Sequence, residues 1–559
     1  MDRPWFASPA GWTLGPDGAL SPGNPGGNRA WCVGVVHTIA TMKREHSGRG
    51  GEARRRRRGG AGRPGGKTRP TDGYRRLRNP FPPVSVFSED QVAAIHDRSL
   101  DVLAEHGMRV LLPEARRIFE AAGCSVDDEM MVRMDREVVR AAVESAPSSF
   151  EIVSRSGNRD LVFGGDSVAF LPVGGPPHIM DLDRGKRPGT LADFALFTKL
   201  TQAFDIVHMI GQPVEAQDIP TNLRHYACTR AAVTLSDKIP FVYSRGRPQV
   251  EDCFEMLAIA CGIDRQAFAE APRTYTVINT NSPRQLDIPM CNGIIDFATA
   301  NQVSVITPFT LAGAMAPVTI PGALVLQHAE ALAGITLAQL VRPGSAQIYG
   351  AFTSNVDMRS GSPAFGTPEG VIAAIGSGQL ARHVSMPWRS SAPNASNVVD
   401  AQATYEGMMS LFGTILGGAN MIVHAAGWME GGLSASPEKF ILDVEVLQML
   451  AEVFAGVPCD EDALAYEAIV GVEPGGHFFD SPHTMSRYET AFYTPLVSDW
   501  SNFGLWTDNG SRDATTRANE VWKRVVADFE PPPIDGTAVA GLDDFIGRRI
   551  AEGGAPPGS

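Results

Sequence analysis

The chain has 559 residues, 43% apolar and 20% charged, with a net charge of −13, a composition that can bury a large core and that excludes disordered and collagen-like classes. Residues 43–80 hold fourteen Lys and Arg against three acids and residues 1–42 cancel, so the remainder is strongly acidic and argues against nucleic acid as the partner of the main body. Seven cysteines occur without a CxxC pair or zinc-ribbon spacing, as expected for reduced thiols; with no run of about 18 apolar residues and no secretory leader pattern, no membrane association and a cytoplasmic location are expected.

Residues 1–80 are rich in Gly, Pro and Arg, including Arg54 to Arg58, and lack the periodic apolar positions needed for a core, so a disordered tail is expected there. A nucleic-acid arm is the competing reading, but no aromatic residues interleave the basic run. Helical periodicity starts after Phe87. Ser88 and Gln91 form a capping-box pair ahead of Val92, Ile95, Leu100 and Leu103, and further helices follow from Pro113 and Asp135. Residues 81–160 therefore read as a helical N-terminal region that ends in short strands near Phe150 and Leu161.

Beyond residue 160, β-branched runs recur every 30 to 40 residues: Ser167 to Pro172, Val207 to Gln212, Pro240 to Ser244, Tyr275 to Thr280, Val303 to Thr307, Ala346 to Phe352, Val384 to Ser390 and Met421 to Ala425. Amphipathic helical stretches separate them. Eight strand-helix alternations predict an α/β fold, a (β/α)8 barrel of the TIM type over residues 161–435, with Gly, Pro, Asn, Ser and Thr crowding the strand exits where such barrels build their sites. Residues 436–559 read as a C-terminal helical segment packed over the barrel, with a Gly-Pro-rich passage at 472–484.

The chemistry is narrowed by what is missing. His178, His208, His225, His424, His477 and His483 show no ligand spacing, so no metal is expected; GxSxG, GxGxxG and GK[ST] are absent as well. The strand exits offer aromatic surface instead: Tyr349, Phe352, Trp388 and Trp428, with Phe478, Phe479 and Trp506 approaching from the C-terminal segment. Acids near them in sequence are Glu215, Asp357, Glu369, Asp400, Glu406 and Glu430. Together these predict an aromatic and acidic pocket for a quaternary ammonium, with Arg389 pairing a carboxylate at the other end of the ligand and His424 and His477 as further contacts. Asp400, Gln402 and Glu406 read as loop and helix-start anchors.

Several long segments between residues 78 and 550 carry a family resemblance: GGPPHIMDLDRGKRPGTLADF, YGAFTSNVDMRSGSPAFGTPE, DAQATYEGM, GANMIVHAAGWMEGGLSASPEKFILDVE and VEPGGHFFDSPHTMSRYE. They resemble the trimethylamine methyltransferase family of corrinoid-dependent barrel enzymes. Methanogen members carry pyrrolysine in the loop after the seventh strand, and here that place falls at Pro393 and Asn394. The resemblance therefore implies the non-pyrrolysine branch, which demethylates quaternary amines such as glycine betaine. It implies methyl transfer to the Co(I) of a corrinoid (cobalamin) carried by a separate corrinoid protein docked over the barrel mouth, with no cofactor bound tightly by this chain. A homo-oligomer is expected. The alternatives are a non-catalytic barrel that binds a quaternary amine or another small ligand, and tertiary methylamine demethylation without pyrrolysine.

Overall fold

Short β-branched runs buried on both faces favour parallel strands covered by helices. The computed structural model shows this arrangement, describing residues 76–558 and two short antiparallel strands, Trp12–Leu14 and Leu20–Pro22. The chain divides into two units, Met1–Lys67 and Thr68–Ser559. The Arg54–Arg58 run and most of the expected tail lie outside the described residues, but Leu77–Arg78 already pairs antiparallel with the first long strand.

That strand is β1 (Ser167–Pro172). β2 (Tyr275–Ile278), β3 (Val303–Ile306), β4 (Gln347–Gly350), β5 (Trp388–Ser391) and β6 (Met421–Ala426) follow, and the parallel order is β2-β3-β4-β5-β6-β1. Two segments carry the hydrogen bonding on from β1 to β2. His208 N donates to Phe170 O at 2.8 Å, Ile210 N to Ile239 O at 2.9 Å, and Val242 N to Tyr275 O at 3.0 Å. The expected strands Val207 to Gln212 and Pro240 to Ser244 are thus reduced to the single parallel bridges Met209 with Ile239 and Phe241 with Tyr275. The cause is chemical: Pro240 supplies no N–H, and the Val207 carbonyl accepts from the buried Lys238 ammonium, which also reaches Phe204 O at 2.9 Å. The expected start of the seventh strand also moves, because the preceding helix runs to His383 and Ser385 turns at φ +55°.

The helices pack outside. α1 (Glu89–Asp101) opens on the expected capping box, Gln91 N donating to Ser88 Oγ and Ser88 N to Gln91 Oε1 at 2.9 Å. α2 (Pro113–Ala121) and α3 (Arg136–Ser145) complete the N-terminal layer. α4 (Leu191–Ala203), α5 (Arg224–Leu235), α6 (Arg247–Cys261) and α7 (Ile288–Thr299) precede α8 (Ile320–Val341). By length and composition alone α8 is apolar enough to cross a membrane; here it is an interior helix packed against α1, α3, α7 and the next helix, with Gln327, His328 and Glu330 buried and hydrogen-bonded. α9 (Pro368–His383), α10 (Ala401–Leu416) and α11 (Pro437–Ala455) follow, then α12 (Ala514–Ala527) and α13 (Gly536–Ala551).

Strand alternation sends successive side chains to opposite faces, and two cores result. Ala169, Leu171, Met209, Ile239, Val305 and Ile348 fill the inside of the strand ring, where the hairpin Phe150–Ile152 and Leu161–Phe163 closes one end with Ile152 and Phe163. Phe170, Ile306, Tyr349, Trp388 and Ile422 face outward into the layer beneath the helices. Trp388 belongs to that outer core: an added Cβ at Gly378 or Gly417 would lie 2.8 Å from its ring, so α9 and α10 approach it through glycines. Trp388→Ala is expected to lower unfolding free energy by about 3–5 kcal/mol while leaving ligand affinity unchanged, as read by urea denaturation and calorimetric titration.

Candidate active site

At the end of the ring opposite that hairpin, the strand exits surround a cavity of about 310 Å³. Small residues make the room: Gly174, Gly175 and Gly211 line it without side chains. Two short sheets raise its walls. Phe309–Ala312 pairs in parallel with Phe352–Val356, and Trp428–Met429 pairs with Ser434–Ala435, which joins His178–Asp181.

One wall holds Phe241, Tyr243 and Tyr275. The Phe241 ring meets Tyr275 edge-on at 5.2 Å, and the Tyr275 hydroxyl donates to Ile210 O at 2.9 Å. The facing wall holds Phe309, Phe352, His424 and Trp428. Phe352 lies 4.9 Å from Phe309, 5.5 Å from His424 and 6.2 Å from Trp428, and Phe365 stacks behind it at 5.5 Å. His424 stacks on Trp428 at 4.9 Å and 26°. These ring faces can hold a cation by its electrostatic attraction to their π-systems.

Arg389 is the single cation among the cavity's lining residues. Next to outward-facing Trp388, it points inward, 2% exposed, with its guanidinium carbon 5.5 Å from the Phe352 ring centre. Its Nη1 donates to Ala351 O at 3.3 Å, while Nε has no partner and no carboxylate pairs with it among the described residues. Burial pulls its pKa down to about 9, so it stays charged at neutral pH. His424 sits beside it at φ +61°, where β6 shifts register between Ile422 and Ala426; this local distortion turns the ring into the cavity. Burial, and then the Arg389 charge, hold the imidazole well below its usual range and therefore neutral.

Of the contacts expected from the sequence, Phe352, Arg389, His424 and Trp428 meet in this cavity. Tyr349 and Trp388 do not, because strand parity puts them on the outer face; the Tyr349 hydroxyl is engaged by Gln327 and His328, each at 2.8 Å. His477 is away from it as well, on an exposed segment near Asp480, where Phe478 and Phe479 are also exposed. Trp506 donates to Arg512 O rather than reaching the cavity.

The acidic half of the expected pocket is corrected too: no Asp or Glu lines the cavity. Glu215 pairs with Arg224 at 2.9 Å and with Arg245 in a smaller adjoining cavity, and Glu430 pairs with Lys186 at 2.6 Å. Asp357 holds its own turn through Ser360 Oγ, and Glu369 sits in the first turn of α9. Asp400 caps α10 through Gln402 N, and Glu406 accepts from Ala395 N and Ser396 N. Asn394 lies behind the wall, its amide donating to Trp428 O, while the Pro393 carbonyl accepts from Ser410 Oγ at 2.8 Å.

Phe241, Tyr243, Tyr275 and Phe309 are lining residues that the motif reading passed over. The available signal was spacing by two: Tyr275, Val277 and Asn279 line the cavity from one strand and its exit, and Phe241 and Tyr243 from another segment. No group of three or more His, Cys, Asp or Glu able to hold a metal exists among the described residues.

The neutral histidines give a pH dependence. His424 and His328 are held well below 6.5 by burial, and His96 is lowered to about 4, also chiefly by burial. The unfolded chain binds these protons near pH 6.5 and the folded chain only at lower pH, so their stabilising contribution is present above about pH 6.5 and is lost as pH falls below it. Denaturation midpoints measured from about pH 7 to about pH 5 should fall, and His424→Asn should flatten that fall.

A family model described as trimethylamine methyltransferase (MTTB) matches residues 49–554. The chain is 36% identical over 476 residues to a glycine betaine methyltransferase of Desulfitobacterium hafniense (strain Y51), covering 85% of this chain and 99% of that one. It is 28% identical to a trimethylamine methyltransferase MttB of Desulfitobacterium hafniense (strain DSM 10664 / DCB-2), covering 82% and 93%. Among solved structures, the monomethylamine methyltransferase of Methanosarcina barkeri aligns over 81% of this chain and 92% of its own at 12% identity, with a TM-score of 0.42. On the extent of the family match and of the 36% relative, the chain belongs to the trimethylamine methyltransferase family.

Proposed function

We propose that this methyltransferase removes a methyl group from a zwitterionic quaternary amine of the glycine betaine type and delivers it to the Co(I) of a corrinoid on a separate protein. The observation that carries the substrate class is Arg389: a buried guanidinium, without a carboxylate, in a cavity walled by aromatic rings and free of acidic side chains. Leaving such a charge unanswered is unfavourable by several kcal/mol. A carboxylate on the ligand answers it, while the quaternary nitrogen lies against Phe352 and Trp428 or the facing Tyr275 wall. A bare amine cation, such as protonated trimethylamine, would be repelled by the same guanidinium. The glycine betaine methyltransferase to which the chain is similar supports this choice.

The ring of eight successively bonded parallel segments supports a (β/α)8 barrel over 161–435, between a helical N-terminal region (81–160) and a C-terminal segment from 436. The six free cysteines among the described residues support a reducing, cytoplasmic setting.

The cavity has room for a small zwitterion and not for a corrin macrocycle, so the acceptor meets the methyl group at the mouth. The corrinoid supplies the nucleophilic electron pair. This chain's residues orient and desolvate: Arg389 fixes the carboxylate end, the rings confine the trimethylammonium head, and exclusion of water strengthens both contacts. The carbon-nitrogen bond breaks with its electron pair staying on nitrogen, which leaves as a neutral tertiary amine. No side chain has to donate a proton, in keeping with a neutral His424 and the absence of a lining carboxylic acid.

Purified protein with Co(I) cobalamin and glycine betaine should yield methylcobalamin and dimethylglycine; no transfer across a panel of betaines, tested with free cobalamin and with a cognate corrinoid protein, would overturn the reading. Arg389→Gln should weaken zwitterion binding by about 1.5–3 kcal/mol, roughly 10- to 150-fold, and should reduce discrimination against choline, which lacks the carboxylate.

A further inference from the structure

α13 lies across α5 and α6. Leu542 and Phe545 join Val250 and Phe254 in one buried cluster, Arg230 Nε donates to Asp543 Oδ1 at 2.6 Å, and Arg549 Nη2 donates to Asp252 Oδ2 at 3.0 Å. Residues 553–558, Gly-Gly-Ala-Pro-Pro-Gly, then run over the loops that lead into α5 and α6. Asn222 Nδ2 donates to Gly553 O at 2.9 Å, Ala555 N to Asn222 O at 3.1 Å, the buried Gln249 Nε2 to Ala555 O at 2.8 Å, and Gly558 N to Arg245 O at 2.6 Å.

The seat is shaped for this segment. Gly246 stands at φ +115°, and a Cβ there would lie 2.8 Å from Gly558 Cα; a Cβ on Gly554, at φ +73°, would lie 2.7 Å from Asn222 O. Backbone meets backbone at both places, an approach that glycine allows. Ala555 is 1% exposed, although Gly553 and Pro556 on either side are exposed. Pro556 and Pro557 restrict the segment before it docks, which lowers the entropy lost on ordering.

Arg245, whose carbonyl receives Gly558, joins this seat to the active site. Its guanidinium carbon lies 4.2 Å from the Tyr243 ring centre, an attractive arrangement of cation and ring, and the same side chain pairs with Glu215. Tyr243, Phe241 and Gln212 line both the active-site cavity and the smaller adjoining one, and Pro557 lines the adjoining one from the segment itself. We propose that residues 553–558 are a positioning strap for the active site: by holding the Arg245 carbonyl and walling the adjoining cavity with Pro557, they fix Tyr243 in place and keep water from behind it. This role rests on the reading of the larger cavity as the zwitterion site. Ligand affinity and strap docking are then coupled, and the coupling is reciprocal: what the strap adds to the hold on the ligand, the ligand adds to the hold on the strap.

Calorimetric titration of the full chain with glycine betaine tests the coupling. Ala555→Glu puts a carboxylate where a methyl group is buried and lifts the strap. It should raise Kd roughly five- to twentyfold, while the rate of methyl transfer to Co(I) cobalamin at saturating betaine stays within about twofold. Ala555→Ser should bind as the unmodified chain does. In the unmodified chain, saturating glycine betaine should slow hydrogen–deuterium exchange at the Ala555 and Gly558 amides by a comparable factor, a readout that stands even where Ala555→Glu fails to fold. An unchanged Kd in folded Ala555→Glu, or strap exchange unaffected by the ligand, overturns the strap and leaves the substrate reading intact; no binding of any betaine by the unmodified chain overturns both.

Discussion

Burying the Arg389 guanidinium is unfavourable by several kcal/mol unless an anion answers it, and among the described residues no carboxylate pairs with it. Acids elsewhere at this end of the strand ring have partners of their own. Glu215 is held by Arg224 and Arg245 in the adjoining cavity, and Glu430 is held by Lys186. His424, held well below its usual range by burial and then by the Arg389 charge, adds no second cation to the cavity.

This arrangement depends on strand parity. Trp388 and Arg389 are neighbours in sequence, yet one side chain lies in the outer core between α9 and α10 and the other inside the ring. The register of β5 between β4 and β6, Tyr349 opposite Trp388 and Arg389 opposite Met421, fixes which is which. A slip of one residue would bury the guanidinium among the helices and point the indole into the cavity. The glycines that receive Trp388 from both helices stabilise this register, because the indole fits only on that side.

Much of the architecture could be read along the chain. Strand and helix alternation follows from hydrophobic period, and the capping box at Ser88 and the cap at Asp400 formed as their spacing required. The 207–212 and 240–244 segments have the apolar content of full strands, which does not reveal that Lys238, from beside one segment, takes the Val207 carbonyl of the other. Part of the site was legible in the same way. Phe352, Arg389, His424 and Trp428 sit at strand exits, as read, whereas Tyr349 and Trp388 were assigned without their face. The acids near those exits in sequence turned out to be caps, turn anchors and ion-pair partners, since distance along the chain does not tell which way a short carboxylate turns.

By itself, the sequence determined the family, the α/β alternation and the absence of a pyrrolysine at the loop holding Pro393 and Asn394, because these depend on residue identity and local period alone. Tertiary structure decided which aromatic residues line the cavity, that no acid lines it, and that its one arginine pairs with no carboxylate among the described residues. Those properties belong to the closing of the strand ring, where residues more than a hundred positions apart, such as Tyr275 and His424, come to share one cavity and the direction of each side chain is set by its neighbours' register.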